Sequence, residues 1–352
     1  MGKKTSIQWT HTTVNPVSGC DGCELYPSHG LVLRTVLDAL PPDRRDQLKP
    51  LAERLVAGGP QNTKRNIEAI ADELATACGD YAVSQRIQDA VGRLYVCYAS
   101  TLHRFFNANG TTKGYAFPFE KPQMFPGRMK QVAKLPAPRE DEVVDKPWLQ
   151  GTPRLVFVSD MGDALSQSIP FEYLEQEVIS NVTSQHGSRH IWQWLTKRPA
   201  KMAAFADWLA DRGVVWPENL VAMTTVTSQK TVGRVESLRQ VPAKFRGLSL
   251  EPLWSCLDID LSGIDWVIVG GESGGDAAPF HLEWAQELRD ECHRRGVAFF
   301  MKQLGRRAYW QGRLLSLNDL HGGDWTEWPD EFRVREVPRQ WRAWPNLKHG
   351  GN

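Results

Sequence analysis

From about residue 154 onward, short apolar runs alternate with amphipathic stretches. The runs lie at 154–159 (RLVFVS), 190–195 (HIWQWL), 220–226 (LVAMTTV), 247–250 (GLSL), 265–269 (DWVIV) and 297–301 (VAFFM). Most are rich in β-branched or aromatic residues and apolar at nearly every position, as strands buried on both faces are. Between them, residues 170–184, 199–212, 229–240 and 282–295 carry helical spacing. The last is the clearest: Trp284, Leu288 and Cys292 recur every four residues, and Gly296 supplies a stop. Buried strands separated by helices predict an α/β fold with a parallel sheet covered by helices. Six such runs, with a further first strand at 5–10, predict a partial or full (β/α) TIM-like barrel. No Gly-rich dinucleotide fingerprint follows that first strand, which weakens a doubly wound alternative.

Residues 24–96 break the rhythm. Leu48, Leu51 and Leu55, then Ile67, Ile70 and Leu74, then Val83, Ile87, Val91 and Leu94 repeat at helical spacing. This predicts an all-helical insertion of three or four helices after the first strand, whose plain role is packing. Residues 110–153 are Pro-rich and irregular, and there is no internal repeat. The expected organisation is a barrel from 1–23 and 97–312, the insertion at 24–96, and an irregular tail at 313–352.

Composition narrows the class. The 352 residues are 41% hydrophobic and 24% charged, enough for a large core and unlike a disordered chain. Forty-two Lys and Arg against forty-one Asp and Glu exclude a globally basic nucleic-acid coat while leaving local patches open. No apolar run reaches the roughly 18–20 residues that span a bilayer, and the start lacks a signal peptide's apolar segment. A soluble, cytoplasmic protein without a membrane partner is expected. Six cysteines are too few for a disulfide scaffold, so clustered ones point to metal or redox chemistry.

Cys20 and Cys23 form a C-x2-C in NPVSGCDGCELYP, a Gly-rich turn that can aim both sulfurs at one metal or cluster. Two ligands are not a site, and alone the pair reads as readily as something bland, a half-built zinc knuckle or chance. Cys97, in LYVCYASTLHRF, opens a helix-like segment whose free N–H groups suit an anionic thiolate. Cys78, Cys256 and Cys292 read as buried thiols.

The pieces NPVSGC, GC and CYA, followed by a helix and a strand ending SDMGD, resemble a phage and mobile-element family described as a domain of unknown function. The resemblance continues through LTKRP (195–199), SLEPL (249–253), DWVIVGGESG (265–274) and FFMKQLG (299–305), covering most of 5–305. That family carries a three-cysteine motif and is similar to radical S-adenosylmethionine (SAM) enzymes. The resemblance implies a radical-SAM-type barrel with a [4Fe–4S] cluster on Cys20, Cys23 and Cys97, its open iron chelating SAM. Reduction of the sulfonium then yields a 5′-deoxyadenosyl radical, which requires an electron donor. The chain departs from the compact C-x3-C-x2-C spacing, since seventy-three residues separate Cys23 from Cys97. An insertion whose ends meet would close that gap; a three-cysteine zinc site is the alternative.

A barrel's active site collects at the C-terminal ends of its strands. There the chain places Asp160 and Asp163 after RLVFVS, Thr196, Lys197 and Arg198 after HIWQWL, and Glu251 after GLSL. Glu272 and Ser273 follow DWVIVGG, and Lys302 with Gln303 follow VAFFM. Each alone is commonly a helix cap or a solvated charge; their recurrence at one end marks a cofactor-binding rim. Gly270 and Gly271 would let a ligand approach backbone N–H groups, and Glu251 or Glu272 would take the SAM amino group. His103 and His281 lack partners at metal spacing and read as solvated or capping. No nucleophile elbow, His-Glu-x-x-His or P-loop occurs.

Residues 113–139 hold six basic residues against one acid, interleaved with Tyr115, Phe117, Phe119 and Phe125. Cations for phosphates and rings for bases are what single-strand binding needs, with Lys121, Arg128 and Lys130 as charges and Phe117 and Phe125 as platforms. A surface loop plugged by its aromatics is the bland alternative. Two functions follow: a radical-SAM-like enzyme acting on a nucleic acid or nucleotide, or a non-catalytic nucleic-acid-binding protein with structural zinc.

Overall fold

The computed structural model describes residues 5–25, 29–56, 64–92, 97–108, 119–274 and 277–344. In chain order, β1 (Thr12–Val14) and β2 (Val17–Ser18) precede helices α1 (His29–Ala39), α2 (Arg45–Val56), α3 (Lys64–Cys78), α4 (Tyr81–Gly92) and α5 (Tyr98–Ala108). Then come β3 (Gln123–Met124), α6 (Arg128–Ala133), α7 (Glu140–Val143) and β4 (Leu155–Val158). An interrupted helix follows, with α8 (Phe171–Leu174) joined to α9 (Ser180–Val182) by a π turn. Next are β5 (Ile191–Thr196), α10 (Pro199–Asp211), β6 (Leu220–Thr225), α11 (Arg234–Arg239), β7 (Arg246–Leu250) and β8 (Trp266–Gly270). The last elements are β9 (Phe280–His281), α12 (Leu282–Arg295), β10 (Ala298–Gln303), β11 (Ala308–Trp310) and β12 (Arg313–Leu314).

Seven strands form one all-parallel sheet in the order β1-β4-β5-β6-β7-β8-β10. The order never reverses, as winding in one direction requires, and the sheet curls into a half-barrel, a partial TIM-like fold. The expected barrel strands are all present except the first. Residues 5–10 are not a strand: β1 lies later, at the β-branched Thr12–Val14, and Trp9 packs in the core instead.

The two faces of the sheet are covered differently. On one, Trp194 of β5 meets Phe205 of α10 at 5.9 Å between ring centroids, so this is the helix-covered side. On the other, Phe157, Ile191, Met223, Trp266, Ile268 and Phe300 share a core with Trp9, Trp148, Val337, Trp341 and Trp344. Those last three belong to the C-terminal tail, which is therefore part of the barrel's packing. The tail also pairs with β10, through Met301 N–H to the Val334 carbonyl at 2.8 Å and Glu336 N–H to Phe299 at 2.9 Å. Helix α12 shows why the elements stop where they do. Leu282, Ala285, Leu288 and Cys292 bury one face, basic residues fill the last turn, and Gly296 at φ 69° donates back to Cys292.

The chain divides into two compact units. The barrel unit holds residues up to Pro16, Pro126–Asp160 and everything from Pro170; the helical unit holds Val17–Phe125 and Met161–Ile169. In the helical unit, α1–α4 bury Val32, Val36, Leu55, Ile67, Leu74, Ile87 and Val91 in one apolar cluster. Helix formation after β1 thus follows the spacing of its apolar residues. Among the described residues, no helix is long and apolar enough to cross a membrane.

Candidate functional site

In the barrel unit the strands deliver polar groups at their C-terminal ends. After β1, the Asn15 side-chain amide donates to Asp160, which follows β4, and the Asn15 carbonyl accepts from Arg128 at 3.0 Å. Ser159, between β4 and Asp160, is buried at φ 74°, and among the described residues its hydroxyl has no hydrogen-bond partner. After β5, Thr196 is buried and accepts from the Arg198 N–H at 2.9 Å, with Lys197 half-buried beside it. Arg234 reaches the last carbonyl of β6, that of Thr225, at 3.0 Å.

The densest part of the rim joins β7, β8 and β10. Lys302 donates to Glu251, and each side chain is only about a fifth exposed (22% and 17%). Gln303 donates to the Gly271 carbonyl at 2.9 Å. One oxygen of Glu272 accepts from the Trp254 indole at 3.4 Å and from the Ala278 N–H at 3.1 Å. Ser273 is half-buried next to it. Lys302 and Glu251 thus meet at the ends of β10 and β7, and Glu272, just past the end of β8, is held separately by Trp254 and Ala278. Glu251, Glu272 and Lys302 could be placed near strand ends from the sequence because each closely follows an apolar run. Asn15, Ser159 and Trp254 also lie just after strands, and beyond that position nothing in the sequence singles them out.

Gly270 and Gly271 differ from their expected role. The Gly271 N–H already donates to the Gln303 carbonyl at 3.1 Å. A Cβ there would lie 2.2 Å from the Leu304 carbonyl oxygen, so the close approach is made by the protein's own backbone. At Gly270 a Cβ would meet Glu251 Cγ and Gln303 Cγ at 3.4 Å, an ordinary contact.

In the helical unit the Cys20 turn is held from several sides. The Cys20 N–H donates to the Phe119 carbonyl at 2.8 Å, Asp21 accepts from the Gln167 N–H at 2.5 Å, and Gly19 bridges to Gly162. Asp163 is buried here too, its N–H donating to Gly19 at 3.2 Å and its carboxylate accepting from Leu165 at 3.0 Å. Cys97 precedes α5, and its carbonyl accepts the Thr101 N–H at 3.0 Å. Cys20 is buried in the apolar cluster of this unit and Cys97 packs against the same cluster, while Cys23 is half-buried. The helical segment therefore spans the long gap between the first and last of the three cysteines. Among the described residues, no group of three or more His, Cys, Asp or Glu is arranged to hold a metal ion. Cys20 and Cys97 share one apolar neighbourhood, but among the described residues the three thiols are not gathered at one point.

His103 is neither solvated nor a cap. It is fully buried, with Nε2 on the Ser18 hydroxyl at 2.8 Å, Nδ1 on the Ala99 carbonyl at 2.7 Å, and its ring edge-on to Phe119. It thereby ties α5 to the chain two residues before Cys20. Burial pushes its pKa down to about 4. In the barrel unit burial likewise lowers His190 to about 4 and His11 to about 3, and His11 Nδ1 accepts the Leu155 N–H at 2.9 Å. The unfolded chain binds these protons near pH 6.5, the folded protein only near 4 or below. Stability is therefore complete above about pH 6.5 and falls as pH drops towards about 4, on the order of 2–3 kcal/mol per histidine. Denaturant midpoints measured from pH 7.5 to 4.5 should decline over that window; a flat profile would contradict the buried neutral imidazoles.

Several other readings are corrected. Cys292 is buried and Cys78 half-buried, but Cys256 is exposed, its thiol donating to Glu287 at 3.1 Å. Phe119 is a core residue and offers no face to a base. His281 precedes α12 without a capping bond and stacks on Tyr309 at 5.3 Å. In the basic stretch, Lys121 and Lys130 are exposed, Phe125 is half-buried, and Arg128 is committed to Asn15. Lys121 and Phe125 belong to the helical unit, Arg128 and Lys130 to the barrel unit. Phe117, with Lys113 and Tyr115, lies outside the described residues.

A single-wound parallel half-barrel with a polar rim, interrupted after its first strand by helices, defines the class of protein. Residues 92–329 match the family described as a protein of unknown function (DUF5131), and the chain belongs to that family. No curated protein and no solved structure matches it.

Proposed function

We propose that the protein is an iron–sulfur enzyme of the radical-SAM type, acting on a nucleotide or nucleic acid. The observation that carries this reading is the neighbourhood of the cysteines. The C-x2-C turn follows the first strand of a partial parallel barrel, and Cys97, at the head of α5, packs on the apolar cluster that buries Cys20. Cys20, Cys23 and Cys97 would hold a [4Fe–4S] cluster, whose chemistry when bound is to pass one electron to a sulfonium.

The chain's own rim groups supply the rest. Glu251 or Glu272 would accept from an ammonium, and Lys302, which pairs with Glu251 here, would exchange that partner for a carboxylate, matching the methionyl end of SAM. Asp160, Lys197, Ser273 and Gln303 line other strand ends and provide donors and acceptors for the remainder of SAM or for substrate. The resemblance to a phage and mobile-element family supports a nucleic-acid substrate class, and the exposed Lys121 and Lys130 provide charges for phosphates.

Anaerobic reconstitution with iron and sulfide should give brown protein absorbing broadly near about 400 nm. After reduction, added SAM should yield 5′-deoxyadenosine, and single-stranded DNA or RNA should bind at low salt. Colourless protein with stoichiometric zinc would establish the structural-zinc reading instead. A reducible cluster without SAM cleavage would leave an iron–sulfur protein of another kind.

A further inference from the structure

The family match ends at residue 329, yet the chain beyond it returns to the barrel. Arg335 is 8% exposed, and its guanidinium lies over four rings: Trp148 at 4.3 Å, Trp328 at 5.0 Å, Trp325 at 5.2 Å and Phe300 at 5.7 Å. Among the described residues it has no carboxylate partner. Burial alone draws its pKa down to about 10. Burying an unpaired charge is costly, and an apolar side chain would fill an aromatic box at less cost. The hydrogen bonds show what the charge is attached to. Nε donates to the Met301 carbonyl at 3.0 Å, and Nη2 donates to the Lys302 carbonyl at 2.9 Å and to Gly323 at 3.4 Å.

Those first two carbonyls flank an irregularity in β10. Met301 pairs with Val269, but the next partner, opposite Gly270, is Gln303. Lys302 is the extra residue, and it leaves the ladder to reach Glu251. A bulge re-aims one side chain at the cost of local ladder bonds, and something must hold the freed carbonyls. The planar guanidinium spans two adjacent carbonyls, which a lysine ammonium does not do as rigidly.

We propose that Arg335 is a positioning residue: by clamping the carbonyls of Met301 and Lys302 it sets the β10 bulge that places Lys302 on Glu251. The tail beyond the matched region thus completes the rim. This deepens the proposed function, since it rests on the Lys302–Glu251 pair being part of the binding rim, but its test needs no ligand.

The test is competitive labelling of lysine amines in the full-length protein, read by mass spectrometry, with thermal midpoints recorded in parallel. Arg335→Met refills the aromatic box while removing the clamp. Lys302 should then label roughly three- to tenfold faster, the scale of a lost partly buried, charge-assisted pair, while exposed Lys230 and Lys244 keep their rates. Glu251→Gln should raise Lys302 labelling by a similar factor, and adding Arg335→Met to it should change little more, because both act on one pair. Arg335→Lys should fall between. If Arg335→Met does not fold, Arg335→Lys against Glu251→Gln carries the same comparison. Unchanged Lys302 labelling in a folded Arg335 variant, or full additivity with Glu251→Gln, would overturn the assignment. Failure of SAM to bind the wild-type protein would strike the proposed function and leave this labelling result standing.

Discussion

Gly271→Ala is expected to destabilise the protein by about 3 kcal/mol or more, the cost of forcing atoms into a packed interior, while Gly270→Ala stays close to neutral. The two glycines are adjacent at the end of β8, and a ligand-binding role would treat them alike. The geometry does not. A methyl group on Gly271 would sit 2.2 Å from the Leu304 carbonyl oxygen and 2.9 Å from both its carbon and the Phe280 ring. Two of those atoms are backbone and cannot rotate away. The neighbouring chain is as tight: Gly305, at φ 75°, brings its own Cα to where a side chain would lie 2.5 Å from the Glu272 carbonyl. At Gly270 the contacts are 3.4 Å and mostly with side chains. Urea denaturation of both variants checks this, with the midpoint falling for Gly271→Ala and the slope unchanged. If Gly271→Ala kept its midpoint and lost only ligand affinity, the contact with Leu304 would be wrong and a ligand cradle right.

That contrast shows what was legible in the sequence. Strands β4 to β8 and β10 could be read because each is apolar on both faces, a local property of four to six residues. Helices α2 to α4 could be read because their buried residues recur every three or four positions. The first strand was misplaced because Ile7 and Trp9 mimic strand alternation, while Thr12–Val14 is three residues long and stands out only through its pairing with β4. The rim charges were legible as a set, since a parallel barrel exposes strand ends on one side. Their pairing was not: Lys302 and Glu251 lie 51 positions apart, and they meet through a bulge that no local pattern announces. The same holds for Arg335 and His103. Each looks like a surface residue in its own window and is buried by elements distant in the chain. The tail seemed irregular because Trp325, Trp328 and Trp341 follow no helical or strand period; they fill space shaped by other segments.

Replacing Cys20, Cys23 or Cys97 singly by Ala should lower iron binding by more than about a hundredfold, since loss of an outer-shell partner alone commonly costs about 10–100-fold. Replacing Cys78, Cys256 or Cys292 should leave iron content unchanged. The physical reason lies in which thiols can become thiolates, the form that binds metal. Burial pushes the Cys292 thiol up to about 12, the hydrogen bond to Glu287 raises that of Cys256, and desolvation raises that of Cys78. In all three the net effect of the surroundings disfavours the anion, even at Cys78, where Arg44 acts the other way. Cys97 stands at the N-terminus of α5, where the helix dipole favours an anion, and Cys20 sits in a turn whose glycines, Gly19 and Gly22, adopt positive φ. Because the three sulfurs are not preassembled, metal loading should be coupled to a rearrangement of the helical unit and should stabilise it. At a free metal concentration about a hundred times Kd, that linkage amounts to roughly 2.7 kcal/mol, readable as a rise in thermal midpoint in wild type and none in the Cys20, Cys23 or Cys97 variants. Iron analysis of the six variants, reconstituted side by side under anaerobic conditions, decides the matter. Full iron in Cys97→Ala would remove α5 from the site and leave the C-x2-C turn without its third ligand.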